Sequence, residues 1–151
     1  MNINSLYNIF SHCLVTYRLK FLVFASALLF FGFNGYGQTV TVSVISGNTT
    51  EAGGTATFTV VLGSQPTADV TIPLSSSNTN EGTISVTNVV FTTVNWATPQ
   101  TITVTGIDDA VADGNVAYTI VTGDVTSTDL AYDALTAANV ADVAVTNTDN
   151  D

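Results

Sequence analysis

From Thr39 onward, apolar and β-branched residues recur at a period of two, and that period commits the chain to strands. "TATFTVVL" (55–62) puts Ala56, Phe58, Val60 and Leu62 on one face and mainly threonine on the other. "QTITVTGI" (100–107) sets Ile102 and Val104 against Thr101, Thr103 and Thr105. "DVTIPL" (69–74) offers Val70, Ile72 and Leu74, and "NVAYTIV" (115–121) offers Val116, Tyr118 and Ile120. "VADVAVTN" (140–147) turns Ala141, Val143 and Val145 inward and Asp142 outward. With "TVTVSVI" (39–45) and a weaker stretch around 83–91, this makes seven short strands, A to G, divided by turn-rich segments. Seven strands of this kind, each with one apolar face, predict an all-β fold: an immunoglobulin-like antiparallel β-sandwich of about seven strands. The best helical stretch, "AYDALTAANV" (131–140), amounts to at most a short turn between F and G.

The beginning of the chain differs. Arg18 and Lys20 precede the apolar run "FLVFASALLFFGF" (21–33), and small residues follow at Gly35 and Gly37. A positive region, a short apolar core and a small-x-small site describe a secretory signal peptide over 1–37, cut before Gln38. A retained anchor is the alternative, but spanning a bilayer takes about 20 apolar residues. The expectation is therefore a secreted or cell-surface domain, 38–151, with no stable membrane insertion after cleavage.

Cleavage would remove every Lys, Arg, His, Cys and Met of the chain and leave all twelve acids. A surface without cations excludes nucleic acid as a partner. Disulfides are excluded too, so the domain relies on its core or on a bound ion. Triads, Schiff bases and thiol nucleophiles have no residues to build them, and the expectation is that the domain is not an enzyme. Paired carboxylates can hydrolyse glycosides, but Asp108 and Asp109 are chain neighbours, and no connection is long enough to wall a substrate pocket.

If consecutive strands alternate in direction, the acids sort by pole. Glu51 falls in the A–B connection, Glu81 in C–D, Asp108, Asp109 and Asp113 in E–F, and Asp149 and Asp151 after G, all at one pole. Asp69, Asp124, Asp129 and Asp133 fall at the other. Two carboxylates 4 Å apart repel by roughly 1 kcal/mol in water and several times that near a protein surface. Gathering seven without a Lys or Arg is costly unless a cation occupies the pole; the alternative is a set of solvated loop acids on an acidic, salt-tolerant secreted protein. Calcium takes six to eight oxygens from carboxylates, amides and carbonyls in flexible geometry, which loop Asp and Asn supply. Metals that prefer nitrogen or sulfur find neither imidazole nor thiol.

The runs "TTEAGGTATFTVVL", "TNEGTISV", "FTTVNWATPQTITVTGIDD", "DGNVAYTIVTGD" and "VAVTNTDND" resemble, in order, the Calx-beta domain, in the form repeated in bacterial surface proteins and adhesins. The resemblance covers nearly all of 38–151. It implies an immunoglobulin-like sandwich with calcium at one pole, and a role in cell adhesion or surface architecture. By that resemblance the ligands would be Glu51, Asp108, Asp109, Asp113, Asp149, Asn150 and Asp151, with Glu81 matching less closely. Ala110 and Asn115 stand where further acids are common, and Asn150 interrupts the terminal acids; each removes charge, so the expectation is one ion rather than several. Such domains usually come in tandem, so neighbouring modules, surface glycans or proteins are the implied partners. Whether this single copy is a fragment, a truncated gene or a one-module protein stays open. The rival reading is a carbohydrate-binding or accessory module of a secreted hydrolase. It would need Trp96 and Tyr132 exposed side by side for a sugar to stack on.

Overall fold

The computed structural model describes residues 37–151, so the signal-peptide reading of 1–37 lies, Gly37 apart, outside the described residues. Ten strands form: β1 (Val40–Val42), β2 (Thr49–Thr50), β3 (Thr55–Leu62), β4 (Val70–Ser76), β5 (Gly82–Ile84), β6 (Asn88–Phe91), β7 (Gln100–Gly106), β8 (Val116–Thr122), β9 (Thr126–Ser127) and β10 (Val143–Thr148). One sheet runs β1-β3-β7-β5; the other runs β2-β10-β8-β4-β6, with β9 also on β4. The all-β sandwich expected from the sequence is the fold.

Ten strands rather than seven arise because one expected strand divides and two short ones are added. Strand A is β1, on β3; β2 lies beyond it, in the expected A–B connection, and pairs with β10 in the opposite sheet. Strand D becomes β5, on β7, and β6, on β4, again in opposite sheets. β9 is the tenth, an extra pair with the start of β4. The β2–β10 pair is parallel, a departure from the purely antiparallel expectation. Alternation tells which side chains face inward. It does not tell which sheet a strand joins, and a strand that crosses between sheets keeps its inward face throughout.

The alternation itself was a sound guide to the core. Ala56, Phe58, Val60 and Leu62 on β3, Ile102 and Val104 on β7, Val70, Ile72 and Leu74 on β4, and Tyr118 and Ile120 on β8 are all buried. Register stacks Phe58 against Ile102 and Ala56 against Val104, while Thr57 meets Thr103 and Thr59 meets Thr101 on the outer face. Two residues depart: Val116, opening β8, is only half-buried, and Ala141 is exposed, because β10 begins only at Val143 and the preceding segment is not in a sheet. The stretch 131–140 is a single helical turn, α1 (Leu130–Asp133), and a 3-10 turn, Ala137–Asn139.

Asp129, nearly buried, anchors the pole opposite the predicted acid cluster. Its carboxylate caps α1 by accepting from Ala131 N–H at 3.0 Å. It also takes both the N–H and the hydroxyl of Thr67, at 2.8 and 2.9 Å, and so ties the β3–β4 connection to α1. The Thr67 N–H, then the Thr67 hydroxyl and the Ala131 and Tyr132 amides, hold its pKa below the ordinary 3.8 against the opposing effect of burial. The stabilisation is therefore complete above pH 3.8 and is lost as pH falls through the lower folded value. Asp129→Ala should cost about 1–2 kcal/mol in urea unfolding at neutral pH, and the gap to the parent protein should close on acidification below pH 3.8.

Candidate metal centre

The pole that carries the other acids is built from the ends of β2, β7 and β10. Glu51 follows β2 directly, and its N–H continues the parallel ladder by donating to Thr148 O at 3.0 Å. The chain then turns sharply through Gly53, whose φ of 77° lies in the left-handed region that glycine enters without strain. Gly106, closing β7, donates to Gly54 O at 3.0 Å, and Ile107 donates to Glu81 O at 3.0 Å. The end of one strand thus holds both the A–B and the C–D turns. A side chain at Gly106 would collide with Thr50 O and the Asn147 amide, so glycine is required for this approach.

Beneath the surface lies a polar bridge. Asn147 is fully buried; its Nδ2 donates to Ile107 O at 3.0 Å and to Glu81 Oε2 at 3.4 Å, and its Oδ1 accepts from the Thr49 hydroxyl at 3.0 Å. The Thr49 hydroxyl lies 3.1 Å from that of Tyr118. Burial raises the Tyr118 phenol above its ordinary value, the Thr49 hydrogen bond opposing and Glu81 adding to the rise, so the phenol is a neutral partner. Among the described residues no buried side-chain nitrogen or oxygen lacks a hydrogen bond.

Above this bridge the acids fall into two groups. Carboxylate oxygens of Glu51, Asp149 and Asp151 lie within 4.8 Å of one another, and so do those of Glu81, Asp109 and Asp113. Glu51 and Glu81 are only 2% and 6% exposed, which sets them apart from solvated loop acids. Asp108 stands outside both groups; its Oδ1 lies 3.5 Å from Asn150 Nδ2, across the gap between the β7–β8 loop and the chain end. Asn150 N–H donates to Glu51 Oε2 at 3.1 Å. Gly114, again at φ 77°, donates to Asp149 Oδ2 at 2.7 Å, while Asn115 Oδ1 accepts from Asp149 N–H at 3.2 Å. All eight sequence candidates therefore gather at one pole, six of them in the two triads. Glu81, which matches the resemblance less closely, is a full member of the second. Asn147, Thr49 and Tyr118 were missed, because a buried Asn in "VAVTN" carries no local mark of its role.

The donor set is all oxygen. Two oxygens on one calcium ion, each at 2.3–2.6 Å, can stand at most about 5 Å apart, so separations within 4.8 Å are compatible with a shared ion. Each triad supplies three carboxylates, leaving further positions for backbone carbonyls or water. The groups fit a hard divalent cation.

The electrostatics agree with a site short of positive charge. Burial is the main cause that lifts Glu51 above its ordinary 4.5; the Asn150 N–H opposes it, and Asp149, Asp109 and Asp113 add to it. Asp149 is held below 3.8, chiefly by the Asp151 and Gly114 amides. A folded pKa above the unfolded one means that the fold takes up a proton as pH falls through that value, and is stabilised by it. In chelator, the thermal midpoint should therefore rise on acidification from neutrality toward pH 4.5, then fall below pH 3.8 as Asp149 loses its advantage. Glu51→Gln should raise the chelated midpoint at neutral pH and remove the rise. A parent midpoint that only falls on acidification would contradict this account.

The aromatic alternative lacks its geometry. Tyr132 is fully buried and its hydroxyl donates to Ser64 O at 2.7 Å. Trp96 is half-buried, packs on the core, and its carbonyl accepts from Leu62 N–H at 3.2 Å. The two do not form an exposed stacking platform.

No protein-family model matches this sequence, and no curated protein does. Among solved structures the chain is similar to the Calx CBD1 domain in its apo form, at 13% identity over 75% of this chain and 99% of that one, with a TM-score of 0.47. It is also similar to SSP-19, an MSP-domain protein like family member in Caenorhabditis elegans, at 18% identity over 72% and 100%, with a TM-score of 0.43. A third is WR4, a C. elegans MSP family member, at 12% identity over 74% and 98%, with a TM-score of 0.43. Likeness at this level says nothing of ligand or activity.

Proposed function

We propose that residues 38–151 are an exported calcium-binding β-sandwich module of Calx-beta type, without catalytic activity, that serves cell adhesion or surface-protein architecture. The observation that carries this reading is the pair of triads, each centred on a buried glutamate, in a domain with no Lys, Arg or His. A buried carboxylate beside two others is costly unless a charge of opposite sign meets it. Here that charge has to come from solution. Glu51, Asp149 and Asp151 would hold one ion, and Glu81, Asp109 and Asp113 a second. Asp108 and Asn150 would lie between them. Calcium would fix the β7–β8 loop and the terminal residues to the body of the sandwich, giving a stiff pole on which a neighbouring module, glycan or protein can seat.

The test is a thermal melt of residues 38–151 in chelator and in millimolar calcium, with magnesium and with sodium at matched ionic strength as controls. A ligand at a hundred times its dissociation constant adds about 2.7 kcal/mol, which for a domain of this size raises the midpoint by about 10 °C. Asp149→Asn and Asp113→Asn, one in each triad, should each remove part of the calcium rise, and together all of it. A rise no larger in calcium than in sodium would reduce both triads to solvated carboxylates and end the calcium reading.

A further inference from the structure

The residue at the expected cleavage site is a glutamine, and its surroundings favour a specific reaction. We infer that Gln38, once exposed as the first residue of the exported chain, closes on itself to an uncharged pyroglutamyl lactam. This rests on the export reading and is independent of the calcium reading.

Gln38 is half-buried at the start of the sandwich, two residues before β1. The Ser64 hydroxyl donates to its side-chain carbonyl oxygen, Oε1. Ser64 is itself held in place: the buried Tyr132 hydroxyl donates to Ser64 O at 2.7 Å and lies 3.3 Å from Ser64 Oγ. The following residues are pinned by Gly63 N–H on Thr39 O at 2.8 Å and by the pairing of Val40 with Leu62. The side-chain amide of Gln38 is thus held with a donor on the oxygen that must become negative.

The chemistry balances within one residue. Cleavage of the Gly37–Gln38 bond frees the α-amine of Gln38, whose ordinary pKa near 8 leaves a fraction unprotonated at neutral pH. The amine nitrogen attacks Cδ, and the electron pair of the C=O bond moves to Oε1, where the Ser64 hydroxyl stabilises it. The intermediate then expels Nε2, which takes the proton given up by the α-nitrogen and leaves as ammonia. One C–N bond forms, one breaks, and no oxidant or cofactor is involved. The product removes the last cation of the exported chain, since no Lys, Arg or His follows Gln38. It also leaves no free amine for an aminopeptidase. That end lies at the pole away from the acids, because β1 runs antiparallel to β3 and begins beside Leu62.

The test is to express the full-length chain in a secreting bacterial host and measure the intact mass of the exported protein. The expected result is the mass of 38–151 less one ammonia, blocked to Edman sequencing and unblocked by pyroglutamyl peptidase. Gln38→Ala should abolish the loss, and Ser64→Ala should slow it by about tenfold, the worth of one hydrogen bond to a developing charge. A chain that starts at Gln38 and keeps its ammonia on prolonged incubation overturns the inference and leaves export standing. A chain that starts elsewhere overturns both. Loss of ammonia with a free α-amine, abolished by Ser64→Ala, would mean a Gln38–Ser64 ester instead of the lactam. An unchanged rate in Ser64→Ala would overturn the part given to that hydroxyl.

Discussion

The acid-bearing pole depends on one buried side chain. Asn147 sits where β10, the end of β7, the turn before β5 and the short β2 come together, and it hydrogen-bonds the last three. An amide can do this because it offers two donors and an acceptor from one planar group. A carboxylate in its place would bring a third negative group to Glu81 and lose the donors. An aliphatic residue would take the Asn147 donor from Ile107 O, at a cost of about 1–3 kcal/mol. From this bridge the acid positions follow. Asp149 is two residues further along β10's exit, Glu51 two residues beyond Thr49, and Glu81 is in direct contact.

The two poles set the same residue type in different surroundings. Away from the triads, Asp124, Asp129, Asp133 and Asp142 each accept a backbone N–H, from Ala137, Thr67, Ser127 and Thr122 respectively. These are short carboxylates that end turns and fasten loops, and each is satisfied by its own neighbourhood. At the triad pole Asp149 accepts two backbone N–H groups and Asp109 one, while the two buried glutamates have few partners. Glu81 has only the long contact to Asn147, and Glu51 one amide. Composition alone could not separate these two uses, since both poles draw on Asp in loops.

Much of this fold was legible because burial writes itself into period two. The inward residues of β3, β4, β7 and β8 follow directly from the alternation, and so does the placing of Glu51, Asp108, Asp109, Asp113, Asp149 and Asp151 at one end of the sandwich. The division of strand D between sheets was not legible, nor was β2. Nothing in the two threonines of "NTTEAGG" marks them as a strand that pairs with β10. Ala141 misled for the reverse reason: it continues the alternation into a segment that no strand pairs with. The sugar-binding rival needed Tyr132 at the surface, yet its ring is buried and its hydroxyl fastens Ser64.

What the sequence determined by itself is therefore a charge balance and a pattern of faces. Twelve acids without a cation after Gln38, and threonine alternating with aliphatic residues, already demand an all-β domain with an unmet negative charge. Which acids meet, and over what, was decided only by tertiary structure. The deciding hydrogen bonds join residues such as Thr49 with Asn147, Glu81 with Asn147, and Glu51 with Asn150, and these pairs are 98, 66 and 99 positions apart. Local propensity has no reach at such separations. Only the crossing of β2 to the second sheet, and the close approach that Gly106 permits, bring two glutamates down into the sandwich beneath their aspartates.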